Sequence, residues 1–423
     1  MSKIALLFPG QGSQYVGMGK PFFDNFTIAK DTFHEAGDVL GFDLSKICFE
    51  GGMEELTRTE HTQPAILTTS VAMFRVFMQE LGIKPHCLAG HSLGEISALT
   101  CTGAVKFSDA VILVRNRGLY MQNAVPNGLG AMSSISKIDR ACIEEECRLI
   151  SQKGKTVVVS NYNSKEQIVV SGDKEAVSEL GEVLIGKGAE IVPLKVSAPF
   201  HSPLMQPAAS AFKEEIGRYE FNDMKWSVIS NVDALPYGSR DEIKDKLVTQ
   251  IVSPVLWDKS MKYMFDMGME YFIEIGPKTV LKNLTLRNLS GVKAYAYDKK
   301  EDSEKLAGDL RRMESETVQN TSFNAVIDKC VATAVCTRNR NWDESQYQSG
   351  VVKPYNDMTA MQESLETEGG QATIEQAHKA LSLLKIIFET KKVPLEEQIE
   401  RFNQVIRETE TISVFDEFLK ILE

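Results

Sequence analysis

Long hydrophobic runs and a positive net charge are both missing from this 423-residue sequence. No stretch reaches the roughly 18 uninterrupted apolar residues that a membrane-spanning helix needs. The apolar run from Ile4 to Phe8 is short and is followed at once by Pro and Gly, which is not the pattern of a signal peptide. A net charge of −11 disfavours nucleic acid and anionic membrane as partners. We therefore expect a cytoplasmic protein without membrane or nucleic-acid contacts.

Cysteine and histidine are also scarce. The seven cysteines are an odd number and contain no Cys-x-x-Cys, which favours reduced thiols over a disulfide framework. The six histidines and these cysteines show no spacing typical of a metal site, so we expect neither a metal nor a bound cofactor. Hydrophobic residues make up 43% of the chain, which is ample for a large core, and the length exceeds that of one typical domain.

The negative charge is concentrated in the last part of the chain. Residues 301–423 hold 14 basic and 23 acidic side chains, a net charge of −9, which leaves −2 for residues 1–300. The charged run from Glu301 to Glu316 indicates a linker or an exposed helix. Beyond it, apolar residues repeat at helical spacing in two stripes: Ile374, Ala377, Leu381, Leu384 and Phe388, then Leu395, Ile399, Phe402 and Ile406. We predict a domain at 1–300 and a helical C-terminal extension at 301–423, whose stripes are packing faces of a bundle or, alternatively, a groove for a partner.

A Gly-x-Ser-x-Gly motif centred on Ser92 is the clearest chemical signal. A short apolar run precedes Gly90 and a helix-forming run follows Gly94, which is the strand–turn–helix context of a nucleophile elbow. The glycines permit the sharp turn that exposes the serine hydroxyl, and the helix N-terminus offers backbone N–H groups to an oxyanion. Ser92 is therefore the candidate nucleophile and the N–H of Leu93 a candidate oxyanion donor. The alternative is a glycine-rich turn without chemistry.

A βαββαβ pattern is inserted at about 128–198. The order is that of a ferredoxin-like subdomain. Its predicted elements are strand Ala131 to Ile135, helix Asp139 to Gln152, strands Thr156 to Ser160 and Gln167 to Ser171, helix Lys174 to Lys187 and strand Glu190 to Val196. Because Ser92 precedes this subdomain and His201 follows it, we expect the active site in the cleft between the two parts.

Five further motifs stand in order around the elbow. They are Phe8-Pro9-Gly10-Gln11-Gly12-Ser13-Gln14, Arg115-Asn116-Arg117-Gly118, Pro199-Phe200-His201-Ser202, Gln250 within Thr249 to Pro254, and Glu274-Ile275-Gly276-Pro277. Together with the elbow they resemble the malonyl-CoA:acyl-carrier-protein transacylase family, the acyltransferases of fatty acid and polyketide synthesis, from about Lys3 to about Lys300. The resemblance implies a hydrolase-like α/β core beside the ferredoxin-like subdomain. It also implies malonyl transfer from malonyl-CoA to the phosphopantetheine thiol of acyl carrier proteins through a malonyl-Ser92 ester.

The same resemblance implies roles for residues outside the elbow. His201 matches the catalytic histidine, and a backbone carbonyl near the residue matching Gln250 orients it in place of a triad carboxylate. Gln11 matches the residue that supplies a second oxyanion N–H, although its Gly-Gln-Gly context also fits a plain tight turn. Gln63 matches a further active-site position. His91 adjoins the nucleophile, but side chains flanking an elbow diverge, so we place His91 among the substrate-binding residues and not as the base.

Two residues indicate which acyl group the site binds. A guanidinium in a dry cleft favours a carboxylate, which malonyl has and acetyl lacks, and Arg117 matches the family pattern at Arg-Gly-x-x-Met-Gln. The alternative is a surface arginine on a helix from Phe107 to Met121. Phe200, directly before the histidine, resembles the malonyl-selective form and would fill the space of an α-methyl group. The preceding Ala198-Pro199 departs from the commonest polyketide pattern.

Alternatives of other classes remain open at the level of sequence. An acyl hydrolase could clear stalled acyl groups from carrier proteins, but relatives of that kind typically lack the carboxylate-binding arginine. A non-catalytic scaffold does not need Gln11, Ser92, Arg117 and His201 together. The extra helical residues are typical of a discrete acyltransferase that serves a polyketide or lipopeptide assembly line in trans. The extension is then a candidate contact for an assembly-line protein, or it covers apolar surface of the catalytic domain.

Overall fold

The structure, a computed structural model, describes residues 3–126, 128–196, 198–320 and 323–420. The chain divides into two compact units, Ser2–Gly308 and Asp309–Glu423. Within the described ranges no helix combines the length and the apolar character that crossing a bilayer requires.

In its described residues, the first unit contains nine strands and the helices between them. Its elements in chain order are β1 (Lys3–Phe8), α1 (Lys20–Asn25), α2 (Thr27–Leu40), α3 (Leu44–Phe49), α4 (Met53–Thr57), α5 (Thr59–Leu81), β2 (Cys87–Gly90), α6 (Leu93–Cys101), α7 (Phe107–Asn123), β3 (Gly130–Ser136), α8 (Arg140–Ser151), β4 (Val157–Ser164), β5 (Gln167–Asp173), α9 (Lys174–Gly186), β6 (Glu190–Pro193), a 3₁₀ turn (Pro203–Met205), α10 (Gln206–Ile216), β7 (Ser227–Ile229), α11 (Asp241–Val252), α12 (Trp257–Asp266), β8 (Met269–Glu274), α13 (Val280–Asn288) and β9 (Lys293–Ala296). Helix α14 (Lys300–Asn320) crosses the division between the units.

Five of these strands form a parallel sheet in the order β7-β2-β1-β8-β9. Its central strand β1 is a buried apolar run from Ile4 to Phe8, with Leu6 and Leu7 fully buried on opposite faces. Helices therefore cover both faces of the sheet, as parallel sheets require. The predicted α/β class is confirmed, and the structure adds that this sheet is parallel.

The register of the parallel sheet places several loops at one edge. Phe8, the last residue of β1, lies opposite Gly90, the last residue of β2, and β7 pairs with β2 on its other side. Ligands of open α/β sheets bind at the carboxyl ends of the strands. The segments that follow these three strands therefore converge on one region, and Ser92 lies in the segment after β2.

The second sheet is antiparallel, in the order β4-β5-β3-β6. Helices α8 and α9 pack their apolar residues, among them Ile143 and Leu180, into one cluster with the sheet. The prediction of a strand as far as Val196 is wrong, because β6 ends at Pro193. The N–H of Leu194 still bonds to Met132, but the N–H of Val196 turns back to the carbonyl of Leu194 at 3.0 Å, which breaks the extended conformation.

The regular elements of the second unit, in its described part, are helical. They are α15 (Asn324–Cys336), α16 (Glu344–Tyr347), a π-helical turn (Gln348–Val352), α17 (Lys353–Glu368), α18 (Ile374–Thr390), α19 (Leu395–Glu408) and α20 (Ile412–Lys420). Gly369 ends α17 in the left-handed conformation, and Thr373 begins α18 with a capping box. The two apolar stripes predicted from the sequence lie on α18 and α19. Their buried members belong to an apolar cluster that also includes Phe323, Val326 and Phe415.

Candidate active site

Ser92 lies on a strained turn between β2 and α6. Its backbone has φ 53° and ψ −108°, a combination that costs a non-glycine residue about 1–3 kcal/mol. The turn depends on close backbone contacts, because a Cβ atom at Gly94 would overlap the carbonyl oxygen of Phe8. The N–H of Ser92 donates to Asn231 Oδ1 at 2.7 Å, which fixes the strained residue.

The imidazole of His201 lies beside the Ser92 hydroxyl. Ser92 Oγ donates to His201 Nε2 at 2.8 Å, and His201 Nδ1 donates to the backbone carbonyl of Gln250 at 2.8 Å. This pairing selects the tautomer with a free lone pair at Nε2, which is the form that can accept the serine proton. Burial, with the nearby Arg117 cation, lowers the pKa of His201 to about 3. The ring is therefore neutral near pH 7, as a general base must be.

The guanidinium of Arg117 points at the same hydroxyl from helix α7. Its Nη2 lies 3.2 Å from Ser92 Oγ and 2.8 Å from Gln250 Oε1, while Nη1 donates to Gln63 Oε1 at 2.9 Å. The side chain is 1% exposed, and all three acceptors are neutral. Arg117 is thus not a surface arginine but a buried cation beside the serine, held by two side-chain amides.

A buried polar network behind the elbow was not anticipated from the sequence. Glu95, on the first turn of α6, accepts from the N–H of Asn231 at 3.0 Å, from Gln250 Nε2 at 2.7 Å and from the Tyr237 hydroxyl. Asn231 also donates to the carbonyl of Gly90 at 2.7 Å, and Gln250 Nε2 lies 3.1 Å from the carbonyl of Ser92. The network therefore contacts the elbow from both ends.

A cavity of about 430 Å³ opens in front of Ser92 and reaches the antiparallel sheet. Of the nine residues singled out from the sequence, Gln250 is buried behind the cavity and the other eight line it: Gln11, Gln63, His91, Ser92, Leu93, Arg117, Phe200 and His201. Residues of the antiparallel sheet, including Met132 and Val169, form the opposite wall. Its volume suits a small-molecule site.

His91 points away from the base and towards the antiparallel sheet. Its Nε2 donates to Asn163 Oδ1 at 2.9 Å, and burial lowers its pKa. Asn163 in turn accepts from Asn288 Nδ2 at its backbone carbonyl, at 2.8 Å. His91 therefore links the elbow to strand β4, and its Asn163 partner also lines the cavity.

The residues of this network that the sequence did not reveal carry only weak local sequence signals. Glu95 lies within the elbow segment, but its partners Asn231 and Tyr237 are separated from it by 136 and 142 residues in sequence. Asn231 comes two residues after β7, the neighbour of the elbow strand, so knowledge of the strand order would have identified it. No sequence motif supplies that order.

Known proteins similar to this chain are acyl transferases. The sequence profile of the acyl transferase domain matches residues 5–334. A Bacillus subtilis protein described as a malonyl CoA-acyl carrier protein transacylase is 39% identical over 399 residues, covering 94% of this chain and 99% of its own. An Escherichia coli (strain K12) protein of the same description is 44% identical over 299 residues, covering 70% of this chain and 96% of its own.

A solved complex of a type II PKS acyl-carrier protein with its malonyl-transacylase is similar in structure. The match has a TM-score of 0.69 and 41% identity, and it covers 71% of this chain and 97% of the other. With a domain profile matched over most of its length and relatives of this identity and coverage, the chain belongs to the acyl transferase family.

Proposed function

We propose that this chain transfers malonyl from malonyl-CoA to the phosphopantetheine thiol of acyl carrier proteins through a malonyl-Ser92 ester. The observation that carries the proposal is the buried guanidinium of Arg117, 3.2 Å from the Ser92 hydroxyl. A cation at that distance can bind a carboxylate on an acyl group esterified to the serine. The descriptions of the Bacillus subtilis and Escherichia coli relatives, and the complex with a carrier protein, support this substrate pair.

The reaction proceeds in two symmetrical halves. Ser92 Oγ attacks the thioester carbonyl carbon and gives its proton to His201 Nε2, which lies 2.8 Å away. The backbone N–H groups of Leu93 and Gln11 stabilise the oxyanion, and each such donor typically contributes about 10²–10³ in rate. The carbon–sulfur bond then breaks, and the coenzyme A thiolate takes the proton from His201. The carrier thiol attacks the ester by the reverse route, so no cofactor is needed beyond the malonyl-CoA substrate.

Two properties of the site set its acyl selectivity: the charge of Arg117 and the shape of Phe200. Arg117, aligned by Gln63 and Gln250, binds the malonyl carboxylate, and an uncharged acetyl group leaves the cation without a charged partner. Phe200 lines the cavity next to His201 and occupies the space that an α-methyl group needs. A methyl group in a pocket is worth only about 1–3 kcal/mol, so Phe200 gives preference for malonyl over methylmalonyl and not exclusion.

We interpret the first unit as a hydrolase-like α/β core with a ferredoxin-like subdomain at about 128–198, and residues 301–423 as a helical extension. The order β3-α8-β4-β5-α9-β6 and the antiparallel pairing support the subdomain. Ser197, inside this range, lies outside the described residues.

The extension favours a discrete acyltransferase that acts in trans for a polyketide or polyketide–peptide assembly line. The Bacillus subtilis relative matches 94% of this chain and so shares most of the extension, whereas the Escherichia coli relative matches 70%. A region kept in only some relatives of the same activity is dispensable for chemistry. We infer that it contacts an assembly-line protein.

Acyl-enzyme mass spectrometry tests the central proposal. Incubation with malonyl-CoA should add one malonyl mass to the peptide that contains Ser92, and Ser92→Ala should remove the adduct. Ser202→Ala is a matched control, since Ser202 follows His201 but donates to the Pro199 carbonyl at 2.6 Å. An adduct that persists in Ser92→Ala contradicts the assignment. An adduct lost to water as fast as to a carrier thiol supports the hydrolase alternative.

A further inference from the structure

Glu95 is a buried carboxylate whose hydrogen-bond partners are all neutral. It is 0% exposed, and its three hydrogen-bond donors are the Asn231 backbone, the Gln250 amide and the Tyr237 hydroxyl. Burying a carboxylate without a cation in contact is costly. Burial raises the pKa of Glu95 to about 7, although the three hydrogen bonds and the charge of Arg117 pull the pKa down. Packing alone does not account for a buried, ionisable carboxyl group at this position.

Arg117 is likewise a buried charge without an oppositely charged group in contact. It is a buried cation whose acceptors are Gln63, Gln250 and Ser92, all of them neutral, and its Nε has no partner. Burial lowers its pKa to about 10, and the charge of Glu95 opposes that shift. The protein therefore buries one positive and one negative charge near the nucleophile without joining them in a direct ion pair.

The side chain of Gln250 connects the two charges. Its Oε1 accepts from Arg117 Nη2 at 2.8 Å, and its Nε2 donates to Glu95 Oε2 at 2.7 Å. The amide dipole is thus aligned from the carboxylate to the guanidinium, which is the favourable orientation for both. One amide group separates the charges, so each feels the other in a low-dielectric interior.

We propose that Glu95 is the buried counter-charge of Arg117, coupled to it through Gln250, and that it sets how strongly the site prefers an acyl group with a carboxylate. This rests on the proposed function. When Glu95 is ionised, it repels the incoming malonyl carboxylate and offsets part of the attraction of Arg117. When Glu95 is protonated, Arg117 attracts the carboxylate in full. Glu95 is a positioning and tuning residue, because it does not line the cavity and its charge acts on the substrate across Gln250 and Arg117.

The proposal predicts a pH dependence whose sign can be worked out. Protonation of Glu95 removes the repulsion, so the preference for malonyl over acetyl is greatest below the pKa of Glu95 and falls as pH rises through it, near pH 7. The malonyl carboxylate itself stays ionised throughout this range, since ordinary carboxyl groups titrate near pH 4.

The other ionisable groups around Glu95 titrate outside this pH range or are paired with an opposite charge. Burial lowers the pKa of His201 to about 3 and that of Arg117 to about 10, and raises the pKa of Tyr237 well above its usual value. The pKa of His91 is also lowered, and Asp233, on the loop of Tyr237, is exposed and paired with Lys246. Among the groups in contact with Glu95, none other than Glu95 is therefore expected to change charge between pH 6.5 and about 8.5. Burial also raises the pKa of Glu274 to about 7, and Glu274 accepts from the N–H of Lys282 next to the cavity wall. Because Glu95→Gln keeps Glu274, a pH dependence that arises from Glu274 would persist in that variant.

The Glu95→Gln variant removes the negative charge of residue 95 and keeps the hydrogen bonds of its side chain. The Gln oxygen can accept from Asn231 and Gln250, and its amide can donate to the Tyr237 hydroxyl, which both donates and accepts. Single-turnover loading of Ser92 is measured with malonyl-CoA and with acetyl-CoA across this pH range, and their ratio is plotted. The ratio cancels effects on Ser92 and His201, which serve both substrates.

The expected wild-type ratio falls with rising pH, by on the order of tenfold, as for coupled charges of this kind. In Glu95→Gln the ratio is independent of pH and stays at the acid level of the wild type. Tyr237→Phe removes one donor to the carboxylate but keeps its charge, so the fall moves to higher pH. A merely structural Glu95 gives a different result, because Glu95→Gln then lowers malonyl and acetyl loading equally and keeps the pH profile of the ratio.

The outcomes separate this proposal from the proposed function. A wild-type protein that forms no malonyl-Ser92 ester contradicts the proposed function itself. A wild type that loads malonyl with a ratio independent of pH contradicts the role of Glu95 alone. If Glu95→Gln fails to fold, as judged by circular dichroism, the wild-type profile and the shift in Tyr237→Phe decide the question.

Discussion

The proposed acyl selectivity depends on Arg117. Arg117→Ala removes the cation that lies 3.2 Å from Ser92 Oγ. Malonyl loading should fall by on the order of 10²–10³, because the carboxylate loses a buried charged partner. Acetyl loading should change little or rise, since an uncharged acyl group no longer leaves the guanidinium unpaired. Rates of Ser92 acylation with the two thioesters measure both effects.

A matched control lies two residues earlier on the same helix. Arg115 stacks over the ring of Phe42 at 5.3 Å and lies outside the cavity, so Arg115→Ala should leave the malonyl-to-acetyl ratio unchanged. If Arg117→Ala lowers both acylation rates equally in a folded protein, the guanidinium is a structural group and the selectivity proposal is wrong.

Single residues were predictable from the sequence where their chemistry is local. Ser92 is identified by its flanking glycines, and Arg117 and His201 by motifs of a few residues. The network of Glu95, Asn231 and Tyr237 was not predictable, because each hydrogen bond joins residues more than 130 positions apart. A carboxylate one turn after the nucleophile has no visible role until the group that faces it is known.

At the level of secondary structure, the elbow depends on how closely α6 approaches the end of β1. A Cβ atom at Gly94 would overlap the Phe8 carbonyl, and neither can rotate away, because the carbonyl is backbone and the Cβ is fixed by the backbone of residue 94. Gly94→Ala should therefore lower the free energy of unfolding by about 1–3 kcal/mol or more. It should also reduce Ser92 acylation, because the strained turn that exposes the hydroxyl is displaced. Urea denaturation and acylation assays measure the two losses.

Gly186 provides the control for this substitution. It ends α9, is exposed, and a Cβ atom there meets nothing within 4 Å. Gly186→Ala should leave acylation unchanged and stabilise the protein slightly, by up to about 1 kcal/mol, because alanine loses less backbone entropy in a helix. Equal stability of Gly94→Ala and the wild type would show that the approach of α6 to β1 is not tight.

The elements themselves were predictable to within a few residues, but their arrangement was not. Helix α8 and strands β3 and β5 follow from spacing of apolar residues and from capping, which are short-range signals. The parallel sheet pairs β1 with β8, which are more than 260 residues apart, and no local pattern encodes that register. The early end of β6 at Pro193 also depends on a turn, and the alternation of apolar residues does not reveal it.

At the level of the whole molecule, each unit has a core of its own. The buried residues of one apolar cluster in the second unit lie between Phe323 and Phe415. One cluster on the parallel sheet and one on the antiparallel sheet are formed by residues of the first unit. The Escherichia coli relative matches 96% of its own length to 299 residues of this chain, a span close to the length of the first unit, Ser2–Gly308. A unit with a hydrophobic core of its own can in principle fold alone.

A chain that ends at Asn320, the last residue of α14, should therefore stay folded and load malonyl onto Ser92 at close to the full rate. Transfer to assembly-line carrier proteins should fall, while transfer to a stand-alone carrier protein should persist. The extension carries a net charge of −9, and carrier proteins are usually acidic, so its surface should repel them and suits a different partner or another part of the assembly line. Steady-state transfer to the two kinds of carrier, with the intact chain alongside, measures the difference.

A truncated chain that is insoluble would mean that the extension covers apolar surface of the catalytic domain, and equal transfer to both carriers would contradict a docking role.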